Sequence, residues 1–275
     1  MTGSSGVAVL LPAAAVAYLA AVVAVVRRGG WWPAGRTACW LAGLAAAAAA
    51  VTRPLATAAH HDFPAHMAGH LLLGMAAPPL LVLAAPVTLA LRALPVGHAR
   101  TLSRVLGSRP VRVVTHPVTA AALDAGGLWL LYTTGLYRAM GEQPWLHAAV
   151  QVHVLVAGFL FTAAMIGVDP APHRPGRPAR AVVLIAFLAA HAILARHLWG
   201  HPPAGVPEDA ARTGAELMYY GGDMIHLAVI VVFCAQWYRA ADPDRRPVAP
   251  RVGTRRPDRR WRIPEEFGPA HGYRR

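Results

Sequence analysis

"AHMAGHLLLGMAAPPLLVLAAPVTLAL", residues 65–91, contains no Asp, Glu, Lys or Arg and carries two histidines four positions apart. A helix rises about 1.5 Å per residue and the hydrocarbon core of a bilayer is about 30 Å thick, so an uncharged run of this length can cross it. Outward from this stretch, comparable apolar runs occupy residues 6–26, 37–58, 118–138, 146–167, 180–200 and 214–238. The 275-residue chain is 56% hydrophobic and only 14% charged, with a mean hydropathy of +0.40. Soluble domains carry about a quarter charged residues. The pattern predicts an all-α polytopic membrane protein whose seven transmembrane helices fill residues 1–240.

All 26 basic residues are arginine, and their placement predicts the orientation. Cytoplasmic loops keep an excess of positive charge. With the N-terminus outside, the inside segments hold Arg27, Arg28 and Arg36, then Arg92, Arg100, Arg104, Arg109 and Arg112, then Arg174, Arg177 and Arg180, and eleven more from Arg239 onward. That is 22 of 26, with only Arg53, Arg138, Arg196 and Arg212 outside. An N-out, C-in topology follows, and the net charge of +13 is explained without a nucleic-acid partner. The first run has no basic stretch before it and Arg27 and Arg28 after it, the reverse of a secretory signal, so it reads as an uncleaved span. Residues 241–275, rich in Arg and Pro, are expected to form a disordered cytoplasmic tail able to touch anionic lipid head groups. Cys39 and Cys234 fall near predicted cytoplasmic helix ends, outside any CxxC pair, and are assigned to packing.

The histidines are sorted the other way. His98, His116, His173 and His271 fall on the cytoplasmic side, whereas His60, His61, His66, His70, His147, His153, His191, His197, His201 and His226 fall in the outer half. His70 and His153 lie roughly 9 Å into their spans, His191 roughly 13 Å, and Asp223 and His226 roughly 13 to 18 Å. Ionisable groups at that depth are costly unless they face a cavity, pair or bind a ligand. His66 and His70 share one helical face, and Glu216, Tyr219 or Tyr220, Asp223 and His226 form a polar stripe. His147 shares a face with Gln151, while His153 is turned about 120° from His147, so one of these two imidazoles points inward more easily than both.

Imidazole is the commonest protein ligand for copper, zinc and iron, and a methionine thioether favours Cu(I). Met67, Met75, Met140, Met218 and Met224 also map to the outer half, and no cysteine does. The expected metal site comprises His70, His153, His191 and His226 as inner ligands, His66 and His147 at the mouth, and Asp223 as orienter. Interhelical hydrogen bonding is the competing reading for each histidine taken singly. Pro78, Pro79 and Pro86 should kink the third span, Gly126, Gly127 and Gly158 suit close helix contacts, and Gly221 and Gly222 let another helix or a ligand approach Asp223. Trp31 and Trp32 fit an inner aromatic belt, Trp145 and Trp199 an outer one.

The chain resembles the CtaG-like assembly proteins of caa-type cytochrome c oxidase. The likeness is carried by "HMAGHLLLGMAAPPLLVLAAPVTLALRALP" at 66–95, "HPVTAAALDAGGLWLLYTTGLY" at 116–137, "WLHAAVQVHVLVAGFLF" at 145–161, "IGVDPAPHR" at 166–174 and "RTGAELMYYGGDMIHLAVIVVFCAQWYR" at 212–239. It implies a seven-helix protein of the bacterial plasma membrane that matures a haem-copper oxidase, an oxidase subunit as partner, and copper as the metal handled. His66 and His70 match the family's paired histidines, His147 and His153 its fifth-span histidines, and His191 its sixth-span histidine. Two departures stand out: Gln151 replaces a second histidine that would give HxxxH, and the start of the seventh span lacks the Asp-Gln pattern of other members.

Copper delivery by ligand exchange, without covalent catalysis, is therefore the leading expectation. A b-type haem held between facing histidines and a metal or proton-coupled transporter are the alternatives. Without lysine no retinal Schiff base can form, and the GxSxG and HExxH hydrolase patterns are absent. Oligomeric state is not legible.

Overall fold

The computed structural model describes residues 6–171 and 173–241, so the expected C-terminal tail and His271 lie outside the described residues. Within them the chain forms α1 (Gly6–Arg27), α2 (Ala34–Val51), a short α3 (Leu55–Ala58), α4 (Phe63–His70), a π-helical stretch (Leu71–Ala76), α5 (Ala77–Leu83), α6 (Pro86–Ala93), α7 (Val96–Leu106), α8 (Arg109–Val114), α9 (Pro117–Thr133), α10 (Leu136–Glu142), α11 (Pro144–Ile166), α12 (Arg177–Gly200) and α13 (Glu208–Ala241). Every regular element among the described residues is helical, as the apolar runs predict.

Among the described residues, six stretches are long and apolar enough to cross a membrane: Leu10–Arg27, Ala34–Ala58, Phe63–Leu83, Pro144–Ile166, Arg177–Gly200 and Glu208–Ala241. The expected fourth span is shorter than its sequence suggested. α9 has 17 residues, a length of about 26 Å. It ends where Thr134 becomes extended and turns its hydroxyl back to the Leu130 carbonyl, 2.6 Å away.

The third span also differs from the single kinked helix over 65–91. α4 starts on Asp62, whose carboxylate accepts from the Ala65 N–H at 3.0 Å, and Pro64 suits the first turn because its missing N–H has no intrahelical partner there. The π-helical stretch follows His70 directly, and Ala77 N–H donates to Leu72 O, five residues back. This widened turn leads into Pro78 and Pro79, which lack the N–H groups needed to continue the ladder. At Pro86 the chain breaks outright: a proline disfavours helical geometry in the residue before it, and Ala85 adopts the left-handed region at φ 52°. The span therefore stops at Leu83.

The "GVDPAP" loop after α11 secures that break. The Asp169 carboxylate accepts from Thr88 N–H at 2.7 Å, Thr88 Oγ1 at 2.6 Å and Val87 N–H at 3.2 Å, satisfying the start of α6. Arg174 holds the loop in turn, donating to the Gly167 carbonyl at 2.5 Å and the Asp169 carbonyl at 3.2 Å. Burial pulls its pKa below the usual guanidinium value, and the Asp169 charge opposes that shift.

α4, the π-helical stretch and α5 form the centre of the bundle, lying against α13, α2 and α11, while α9 packs between α11 and α12. α1 lies at the edge on α2 and α6. Phe63, Met67, Leu194 and Met218 fill the core at one end, and Phe161, Met165, Phe187 and Phe233 at the other. The periphery stays apolar: Val16, Val182, Ile185 and Val231 are all more than half exposed, which suits a lipid surround. Trp31, Trp145 and Trp199 are exposed as expected of belt residues, but Trp32 is buried, donating to the Tyr18 hydroxyl at 3.2 Å. Cys39 and Cys234 are unbridged.

Candidate functional site

His70 ends α4, His191 sits in the middle of α12, and His226 in α13, so three helices contribute one imidazole each. All three are buried, at 7%, 2% and 6% exposure. The His191 ring stacks toward His70 at a centroid separation of 6.3 Å and meets His226 edge-on at 4.9 Å. Gly222 makes this possible, because a methyl there would come within 2.7 Å of His191 Cε1 and 3.3 Å of Met75 Cε. Gly214 accepts Phe63 and Met67 in the same way, and Gly221 accepts Leu71, so α13 presents a thin backbone to the third span.

The hydrogen-bond inventory of the cluster is incomplete. Both ring nitrogens of His70 and Nε2 of His191 are buried and have no hydrogen-bond partner, and neither has Gln151 Oε1. An orphaned buried polar atom costs about 1 to 3 kcal/mol, so such a grouping calls for a ligand or water. A metal held about 2 Å from each imidazole nitrogen brings the two ring centroids within roughly 6.5 Å of one another. The observed separations fall in that range, yet no group of three or more His, Cys, Asp or Glu among the described residues is arranged to hold a metal ion.

Toward the histidine-rich end, a cavity of about 50 Å³ is lined by His66, His70, His147, Gln151 and Tyr132. A wider one, about 260 Å³, begins above it and shares His66, Met140 and His147. Its outer wall includes His60, His61, Asp62 and Arg138. His66 Nε2 lies 3.0 Å from the Tyr132 hydroxyl, which also sits 3.8 Å from Met67 Sδ, and the His147 ring stacks on His60 at 5.2 Å. His66, His147 and His70 thus line a polar descent from the surface to the buried cluster.

Two predicted residues are elsewhere. His153 is exposed on a different face of α11, where Nε2 donates to the Leu123 carbonyl at 3.1 Å and the ring fills the space left by Gly127. The helical period allowed one inward imidazole on α11, and His147 takes that position. Asp223 is exposed on the flank of α13, about 60° round the helix from His226, and so lies outside the buried cluster. Met224 is 70% exposed, whereas Met67 and Met218 are fully buried in the core. Gly158 approaches the Gly74 carbonyl, but Gly126 faces open space. Sequence reasoning passed over Tyr132, which had no periodic signal, and Asp124, a buried acid in α9 that its position inside an apolar run could have flagged.

The fold is an all-helical bundle with several helices long and apolar enough to cross a membrane, and it brings three buried imidazoles together beneath a polar cavity. The profile of the cytochrome c oxidase caa3 assembly factor family (Caa3_CtaG) matches residues 16–240, and the chain belongs to that family. It is 38% identical over 199 residues to uncharacterized protein Mb0105 of Mycobacterium bovis, covering 70% of this chain and 29% of the relative. It is 33% identical over 229 residues to uncharacterized protein ML1998 of Mycobacterium leprae, covering 76% of this chain and 35% of the relative. The chain thus spans about a third of the length of these relatives. No solved structure matches.

Proposed function

We propose that this protein binds copper as cargo and delivers it to a subunit of a haem-copper cytochrome c oxidase. It spans the bacterial plasma membrane seven times, with α9 as the fourth span, its N-terminus outside and its C-terminus inside. The metal descends past His147 and His66 to His70, His191 and His226, with Met75 as a neighbouring soft donor. The reaction is ligand exchange at copper, which needs no nucleophile and no general acid.

One observation carries this reading: two adjoining buried imidazoles hold three nitrogens that no protein group satisfies. Imidazole with a nearby thioether is a donor set suited to Cu(I). The cavity beside His70, about 50 Å³, is far smaller than the several hundred Å³ of a cofactor pocket, which favours an ion over a haem.

The test is made in cells whose only copy carries His70→Ala with His191→Ala. Oxidase from these cells should keep its haem spectrum and lose most of its activity, and added copper should restore it. Full oxidase activity at limiting copper, with the variant protein present in the membrane, would overturn the proposal.

A further inference from the structure

A second cavity, about 290 Å³, lies at the arginine-rich end and shares no lining residue with the cavities beside His66 and His70; His116 and His173 are among its own lining residues. Val82, Phe159, Leu160 and Ala163 give it an apolar wall, and Arg112 and Arg174 also line it. Asp169 lines it too, its carboxylate directed at the start of α6, and two guanidinium groups against this one carboxylate leave the site's charge balance positive. Arg174 Nε is buried there without a hydrogen-bond partner.

The helices beside it have the character of a membrane-surface element. α7 and α8 interleave Arg100, Arg104, Arg109 and Arg112 with Val96, Val105 and Val113, and those three valines are 66%, 52% and 60% exposed. Exposed valines among arginines suit a helix lying in the interface, its apolar side among acyl chains and its guanidinium groups at head-group level. Cavities of this kind, basic at the rim and apolar within, match an anionic lipid in both parts.

We propose that this cavity is a specific site for one anionic phospholipid, whose acyl chain lies against Phe159 and Leu160 and whose phosphate is bound by Arg112 and Arg174. The site is independent of copper. It gives α7 and α8, in which no residue is buried, a lipid as part of their packing.

Native mass spectrometry of the full chain, released from nanodiscs containing equal phosphatidylglycerol and phosphatidylcholine, tests this. Phosphatidylglycerol should be retained in preference, and Arg112→Gln should reduce that preference by about fivefold, the equivalent of about 1 kcal/mol for one interfacial arginine. Arg112 is exposed and makes no structural contact that its loss would break, so the variant should fold. Ala163→Phe, which fills the apolar part, should abolish retention of either lipid, and excess inorganic phosphate should not displace the bound lipid. Equal retention of the two lipids, a preference unchanged by Arg112→Gln, or displacement by phosphate alone would each overturn the proposal.

Discussion

The two ends of the bundle treat buried polar groups in opposite ways. At the arginine-rich end they are consumed by the backbone. Arg180 donates to the Met165 carbonyl at 2.7 Å, Gln236 to the Ile166 carbonyl at 2.8 Å, and Asp169 takes three bonds from α6. Among the described residues there, the Nε atoms of Arg174 and Arg180 are left over. At the histidine-rich end, both ring nitrogens of His70, Nε2 of His191 and Oε1 of Gln151 are buried and find no partner. Polar groups that hold helices together are satisfied by carbonyls, whereas groups kept for a ligand must stay unsatisfied until it arrives. On the proposed reading, the contrast sets the carbonyl-bound polar atoms of the fold apart from the atoms left open to a ligand, the His70 and His191 nitrogens at one end and Arg174 Nε at the other.

Substitutions can break that contrast. Asp169→Ala should have the largest effect on stability, about 2 to 3 kcal/mol, because it strips charge-assisted bonds from the start of α6. Thermal unfolding in detergent measures it, and copper affinity of the folded fraction should be unchanged. Gly222→Ala should cost about 1 to 3 kcal/mol, since the added methyl meets a buried ring in a packed core, and it should also weaken copper binding. His191→Phe sharpens the comparison by reversing the sign. Replacing an unsatisfied imidazole with an apolar ring should raise stability by about 1 kcal/mol while copper binding falls. A loss of stability comparable to Asp169→Ala would mean that His191 is a structural residue. Smallest of all, His153→Ala should cost under about 1 kcal/mol, one exposed hydrogen bond, and leave copper binding intact.

Much of the fold was legible because bilayer thickness converts directly into run length. The ends of the spans were less so. Nothing in hydropathy distinguishes Leu83 from Leu89, and the break between them depends on Ala85 leaving the helical region before Pro86 and on a carboxylate 81 to 82 residues further along the chain. α9 likewise ends at a threonine whose hydroxyl competes with the backbone, inside a run that stays apolar.

The site divides similarly. That histidines concentrate in one half was readable from position, and the i, i+4 spacing of His66 and His70 placed both on one cavity. Which rings meet was not readable, because it depends on how α4, α12 and α13 rotate against one another, and the glycines of α13 set that rotation. His153 and His226 look equivalent as sequence. One fits over Gly127 and bonds a carbonyl, and the other lies against His191. The "GVDPAP" loop, a strong mark of the family resemblance, proves to carry a structural cap.

X-ray absorption at the copper edge of the Cu(I)-loaded protein most directly tests whether the unsatisfied imidazoles exist for the metal. The expected first shell contains at least two imidazole nitrogens at about 2 Å, and it should disappear in His70→Ala with His191→Ala while the protein remains folded. A shell unchanged in that variant, or copper bound without imidazole, would contradict the assignment.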